Sequence, residues 1–304
     1  MEMPTLRQLQ YAVAVADHGH FGNAASACLV SQPALSGQIA ELEQRLGLVL
    51  FERGRRGAVV TPEGEDVINR ARAVLTQMGE LVEAADSRRD DIVGSLSIGV
   101  IPTMAPYLLP GVVSTVRRLY PRARLLLREE RTDRLLIALG QGTIDLGLLA
   151  APVDRHDLDV VELAEDPFLL ALPADHPLAD GGQLDPAALA DMPMLLLEDG
   201  HCLRSQAIDA CTYLGIETDG QIQATGLSSL CQMVAAGLGS TLLPASAIEV
   251  EARPGTGVAV RSLGRAAPSR TVVLAWRRSS PRRAHFQQIA EQIAAPIATT
   301  CRVA

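Results

Sequence analysis

Ser31-Gln32-Pro33-Ala34-Leu35-Ser36-Gly37-Gln38-Ile39, running on through Leu42 and Leu46 to Gly47, decides how this chain begins to fold. A serine can cap a helix by accepting from a free amide of the first turn. Proline is tolerated just inside that start, because its missing N–H is one a helix leaves unpaired anyway. Leu35, Ile39, Leu42 and Leu46 then recur at helical spacing, and Gly47 ends the run. Upstream, Leu6, Leu9, Ala12, Val13 and Ala16 predict a first helix stopped by Gly19, and a short second helix covers 23–28. Three short helices with a tight turn before the third describe a helix-turn-helix. The third opens with Ser31, Gln32, Pro33, Ala34, Ser36 and Gln38, small and amide side chains sized for a major groove. There a glutamine can bond adenine and a small side chain can meet a thymine methyl. Next, Arg53, Arg55 and Arg56 stand around Gly54 and Gly57 between apolar flanks. Alone, such a run reads as a solvated loop; beside this helix it suits a β-wing whose arginines meet phosphates.

From Pro62 to Arg89 one long helix is expected, with Val67, Ile68, Ala71, Val74, Leu75, Met78, Leu81, Val82 and Ala85 in a single apolar stripe. A stripe of that length on a polar helix needs a partner, and a two-fold DNA site needs two reading heads. Residues 86–91 are polar and read as a hinge. Strand and helix patterns then alternate: strands near 94–101, 124–128 and 145–150, with helices at 110–120 and 133–139. A second set starts near Asp166, with strands at 168–172, 194–197, 221–224, 240–243 and 258–261 and a helix at 227–236. A strand at 271–276 and a helix at 282–293 return to the first set, and 299–304 carry no pattern of order. Such alternation predicts a mostly parallel α/β sheet in two lobes.

Within the second lobe, Leu195-Leu196-Leu197-Glu198-Asp199-Gly200-His201-Cys202-Leu203-Arg204 reads as buried strand, turn and helix start. Cys202 then sits near a helix N-terminus, with His201 before it and Arg204 two residues on. The positive end of a helix and a nearby cation both favour thiolate, the form that attacks peroxides. Cys211 lies nine positions later. A continuous helix keeps two such Cα atoms about 13 Å apart, whereas a disulfide needs about 4.4–6.8 Å. Joining them would require the helix to unravel, as a redox switch demands. Two ordinary packed cysteines satisfy the same spacing, so the residues by themselves leave both readings open.

The bulk properties bound the rest. A length of 304 residues suits two or three domains, and 48% hydrophobic with 20% charged residues is ordinary for a globular protein. Met1–Gln10 lacks a signal-peptide pattern, and no apolar run reaches the eighteen or so residues of a membrane span. A cytoplasmic protein is expected. Five cysteines without close spacings fit a reducing compartment. Net charge is −8, so any DNA-binding surface is local. All 27 basic positions are arginine, which we read as compositional bias. His201, Cys202 and Cys211 lack metal-ligand spacing, and neither metal nor cofactor is expected.

The residues 21–25, Ser31-Gln32-Pro33-Ala34-Leu35-Ser36, Gln38-Ile39, Leu42-Glu43, Leu46-Gly47, Leu50-Phe51-Glu52-Arg53 and Thr61-Pro62-Glu63-Gly64 together resemble the winged helix-turn-helix of LysR-type transcriptional regulators. The resemblance implies a DNA-binding domain over 1–61, a linker and dimerisation helix with hinge over 62–91, and a periplasmic-binding-protein-like regulatory domain over 92–304. Its lobe I would take 92–164 and 268–304, and lobe II 165–267. Ile101-Pro102-Thr103, Tyr107-Leu108-Leu109-Pro110, the Gly200–Arg204 motif, Cys211, 233–237 and Thr241-Leu242-Leu243-Pro244 are similar to the hydrogen-peroxide-sensing branch of that family. For this chain that likeness implies Cys202 as peroxidatic and Cys211 as resolving cysteine, with Thr103, Thr132 and His201 at the peroxide. It also implies an activator acting on promoter DNA with RNA polymerase, as a homodimer or homotetramer. Ser205 stands where other members carry an acidic residue, and Cys28, Cys231 and Cys301 are read as structural. The alternatives are a LysR-type regulator answering a metabolite with passive cysteines, and a thiol enzyme, for which a DNA-reading domain is an odd appendage.

Overall fold

The computed structural model describes residues 3–54, 57–86, 91–179, 193–213, 222–264 and 267–302. The chain divides into two compact units, 1–89 with 141–143 and 90–140 with 144–304, and each is taken by itself.

The N-terminal unit begins with helix α1 (Leu6–His18), opened by a reciprocal capping box between Thr5 and Gln8 and closed by Gly19 at φ +61°. α2 (Phe21–Ala27) and α3 (Gln32–Leu46) follow, and the Ser31 side chain caps α3 by accepting from the Ala34 amide. Leu35, Ile39 and Leu42 are the inward stripe of α3, packed with Val15, Ala24 and Phe51. Strands β1 (Phe51–Gly54) and β2 (Gly57–Val60) form an antiparallel hairpin. Gly57 is required there: a Cβ would fall 2.3 Å from the Gly19 carbonyl oxygen. Arg55 and Arg56 lie outside the described residues, as does the hinge expected around 87–90. Thr61 starts α4 (Pro62–Asp86), its hydroxyl accepting from the Gly64 amide at 2.9 Å and donating to the Val49 carbonyl at 2.7 Å. Ile68 and Ala71 of the α4 stripe are buried against the unit's core, while Val74, Met78 and Leu81 are exposed.

The C-terminal unit is built on a seven-stranded sheet in the order β10 (Val258–Ser262), β6 (Leu158–Pro173), β11 (Ser269–Arg277), β5 (Leu146–Ala150), β3 (Gly94–Val100) and β4 (Ala123–Glu129), with β9 (Thr241–Pro244) also on β6. β3 (Gly94–Val100) pairs parallel with β4 (Ala123–Glu129) and β5 (Leu146–Ala150). The expectation of a mostly parallel sheet is corrected by the rest. β11 (Ser269–Arg277) runs antiparallel to β5 and β6, and β9 (Thr241–Pro244) and β10 (Val258–Ser262) run antiparallel to β6. The reason is β6 (Leu158–Pro173), a 16-residue strand whose first half pairs with β11 and whose second half pairs with β9 and β10. One strand thus carries both halves of the sheet, and its neighbours must run back along it. Only its second half was read from sequence, because Asp159, Glu162 and Glu165 interrupt the apolar run of the first. A separate two-stranded parallel pair, β7 (Leu196–Leu197) and β8 (Gln223–Ala224), supports the motif helix.

Two helix limits are also corrected. α5 (Ala105–Leu119) starts five residues before the expected Pro110, which sits inside it. Burial of Leu108, Val112 and Val116 on one face outweighs the single amide bond that proline lacks. After α8 (Leu227–Ala235) and α9 (Ile248–Glu251), α10 (Arg283–Thr300) reaches into the segment expected to lack order, and Cys301 beyond it is buried.

Candidate functional site

β7 delivers the chain to a turn at Asp199-Gly200, after which α7 (Cys202–Tyr213) begins at Cys202 itself. Gly200 has φ +92°, a region costly for any residue with a Cβ, and a Cβ here would lie 2.7 Å from Nη1 of Arg131. That guanidinium donates to the Asp199 carbonyl at 3.1 Å. Arg204, expected as the cation near the sulfur, also braces the turn. Its Nη1 donates to the Leu197 carbonyl at 2.8 Å and its Nε pairs with Asp199 at 2.9 Å.

A narrow cleft lies at the start of α7, lined by Ile101, Pro102, Thr103, Arg131, Thr132, Gly200, His201 and Cys202. Four of the residues singled out from sequence therefore meet: Thr103 from the turn after β3, Thr132 from the start of α6 (Thr132–Gln141), and His201 and Cys202. As closed here the space is too narrow to admit a water molecule, so any ligand larger than water enters only if the lining shifts. Two polar atoms in this lining are buried without a partner, Oγ1 of Thr132 and Nε2 of His201. Burial, and then Arg131, hold the His201 pKa below its ordinary value, against the opposing pull of Glu198 and of a hydrogen bond to the Thr225 carbonyl. With its ring proton on the Thr225 side, neutral His201 presents Nε2 as an acceptor rather than a donor.

Thr103 is 2% exposed, and its hydroxyl oxygen accepts from Nη1 of Arg270 at 3.0 Å. With one of its two lone pairs engaged by a cation, the Thr103 hydroxyl is biased toward donating its hydrogen to another acceptor. Arg270 was not foreseen. It pairs with Asp166 at 2.9 Å, both fully buried, and the two are register partners across β11 and β6. They stand 104 positions apart in sequence, so only the sheet register brings them together.

Cys202 is half-buried and Cys211 fully buried, both free, at opposite ends of the unbroken α7. Burial pushes the Cys211 thiol up to about 11. Burial, then Glu251, pushes Cys231 up to about 12, and that side chain is apart from the cleft residues. Ser205 is exposed on α7, and Gln206 donates to the Ala151 carbonyl at 3.2 Å, tying α7 to the end of β5. An open pocket of about 650 Å³ beside Asp159, Trp276 and Arg283 is elsewhere. Among the described residues no three His, Cys, Asp or Glu side chains are grouped to hold a metal, and no helix is long and apolar enough to cross a membrane.

In the N-terminal unit, Ser31, Gln32, Pro33 and Ala34 are exposed at the start of α3, with Ser36 and Gln38 half-buried one turn on. Gln38 donates to Glu41 at 3.0 Å. Arg53 lies on β1 opposite Ala58.

Residues 6–65 match the family model for bacterial regulatory helix-turn-helix proteins of the lysR family, and residues 89–296 match that for the LysR substrate binding domain. The chain belongs to the LysR family of bacterial regulators. Within it, the chain is 42% identical over 290 residues, 95% of each sequence, to the Escherichia coli K12 "DNA-binding transcriptional dual regulator OxyR". It is equally identical over 288 residues, 94% of this chain and 92% of the other, to a probable hydrogen peroxide-inducible genes activator of Streptomyces viridosporus. A full-length Pseudomonas aeruginosa OxyR with a cysteine-to-aspartate substitution superposes with a TM-score of 0.81 at 34% identity, covering 96% of this chain and 95% of that one. A cysteine-to-serine Corynebacterium glutamicum OxyR with hydrogen peroxide bound gives 0.67 at 35% identity over 99% and 94% of the chains. These relatives put the chain in the OxyR branch of the family.

Proposed function

We propose that the chain is a peroxide-responsive transcription regulator of the OxyR type, read out through DNA rather than turned over as an enzyme. The observation that carries this reading is the meeting of Cys202, His201, Thr103 and Thr132 at one helix start, with Cys211 held away on the same helix. The Cys202 thiolate attacks one oxygen of hydrogen peroxide. The O–O bond breaks, sulfur loses two electrons and becomes a sulfenic acid, and the leaving hydroxide takes a proton to become water. Thr103 and Thr132 donate hydrogen bonds to the peroxide oxygens, and Nε2 of His201 accepts the proton from the thiol or from the peroxide. The Cys211 thiol then displaces water from the sulfenic acid and closes the disulfide.

That second step cannot occur on the helix as it stands, since about nine residues of α-helix separate the sulfurs by twice the reach of a disulfide. Closure and unravelling of α7 are therefore one event, and the repacked segment shifts the regulatory domain. The lining of α3, Ser31, Gln32, Pro33, Ala34, Ser36 and Gln38, reads double-stranded promoter DNA, with Arg53, Arg55 and Arg56 on phosphates. The exposed Val74, Met78 and Leu81 of α4 are covered by a second copy, giving a dimer that pairs into a tetramer and engages RNA polymerase in the cytoplasm. Division into 1–61, 62–91 and 92–304, with the lobes as set out above, accords with this reading. The experiment is Cys202→Ser: promoter binding is expected to persist and the peroxide-induced change in footprint to vanish. An intact peroxide response in that variant would contradict the proposal.

A further inference from the structure

Arg270, Asp166 and Thr103 form a buried charged cluster whose purpose is not explained by stability alone. Replacing a buried ion pair by apolar groups of the same size is often neutral or stabilising, so retaining one calls for another reason. Here the guanidinium grips one residue at two points. Nη1 donates to the Thr103 hydroxyl oxygen at 3.0 Å and Nη2 to the Thr103 carbonyl at 3.2 Å. This fixes both the backbone and the side-chain rotamer of a residue that lines the Cys202 cleft. Arg270 is itself fixed by Asp166, which accepts from its Nε at 3.0 Å and Nη2 at 2.9 Å. Asp166 is locked in turn by Ser246, whose amide donates to one carboxylate oxygen at 2.9 Å and whose hydroxyl donates to the other at 2.8 Å. Thr103, Asp166, Ser246 and Arg270 are all 2% exposed or less.

We infer that Asp166, braced by Ser246, is a positioning residue for the peroxide reaction. Acting through Arg270, which holds one acceptor position of the Thr103 hydroxyl, it turns that O–H toward the peroxide oxygen that departs when Cys202 attacks the other. The inference rests on the proposed reaction of Cys202 with peroxide. It adds that the quality of the Thr103 donor is set by residues on β6 and by the turn after β9, well outside the cleft.

The test uses the full chain in a Cys211→Ser background, so that disulfide closure does not intervene. The second-order rate of Cys202 oxidation by hydrogen peroxide is measured by trapping the sulfenic acid. The rate of alkylation of Cys202 by iodoacetamide, which needs no donor for a leaving oxygen, serves as the control. A preorganised donor to a developing oxyanion is worth about 10²–10³-fold where it has been removed, and a neutral hydroxyl falls at or below the lower end. Thr103→Val is expected to slow the peroxide reaction about 10- to 100-fold, Asp166→Asn about tenfold, and Ser246→Ala about threefold. Alkylation should stay within about twofold in each. In a Thr103→Val background, Ser246→Ala should have no further effect on the peroxide rate, because the group it positions is gone. Equal slowing of peroxide and iodoacetamide, or an undiminished Ser246→Ala effect without the Thr103 hydroxyl, would overturn the inference. Should Asp166→Asn fail to fold, the Ser246→Ala cycle decides alone. A parent chain whose Cys202 does not react with peroxide would refute the proposed function instead.

Discussion

The account makes disulfide closure depend on opening α7, so changing the helix's own stability should change the closing rate and nothing else. Asp209 is the place to do it: it lies between the two cysteines and is exposed, so substitution disturbs no packing. Asp209→Ala and Asp209→Gly remove the same carboxylate and differ only in helix propensity. Glycine in a helix interior costs about 1 kcal/mol relative to alanine, which at 25 °C is about a fivefold change in the population of the opened segment. The rest of α7 resists opening through buried Leu203, Ala207, Ala210 and Cys211, and burial of Leu203 alone contributes about 2 kcal/mol. Opening is therefore rare and gates closure in both variants. Rapid-quench oxidation followed by mass spectrometry separates the sulfenic acid from the disulfide in time. The glycine variant should close about five times faster than the alanine variant, with the first step, at Cys202, unchanged in both. Equal closing rates would refute the reasoning, since the cysteines would then meet without the helix giving way.

Three other outcomes follow from the same structure. Gly200→Ala forces a Cβ at φ +92° into Arg131, and should destabilise by about 1–2 kcal/mol, read as a melting temperature lowered by a few degrees. His201 is held below its ordinary 6.5 in the folded state, so the unfolded chain binds a proton that the native chain refuses. Stability should fall as pH drops below about 6.5, and urea midpoints should show a shallower fall in His201→Gln; the same slope in both would count against a buried neutral imidazole. Cys211 has the opposite sign. It keeps its proton until about 11 where an exposed thiol ionises near 9.0, so stability should decline between those pH values and decline less in Cys211→Ala.

Local chemistry made the N-terminal unit and the turn leading into α7 legible. Ser31, Pro33 and Gly47 bracket α3 by rules that act within a few residues, and the Asp199-Gly200 turn announces the start of α7 in the same way. Thr103 and Thr132 were named through likeness to known regulators, and the fold brings them to one cleft with Cys202. What stayed hidden depends on register over long separations. The sheet's mixed direction follows from the length of β6, which no local pattern discloses, and the Asp166–Arg270 pair exists only because β6 and β11 align in one register. The contacts of Arg204 with the Leu197 carbonyl and Asp199 were hidden for a related reason: position in sequence does not say which carbonyl a guanidinium reaches. The early start of α5 and the late end of α10 reflect burial of Val112 and Cys301 overriding the usual meaning of proline and of a chain end.

The most direct measurement is peptide mass spectrometry on the full chain after one equivalent of hydrogen peroxide, paired with amide hydrogen exchange over α7. The account predicts a Cys202–Cys211 cross-linked peptide together with lost protection between those residues. Unjoined thiols, or a cross-link formed while α7 keeps its protection, would contradict it.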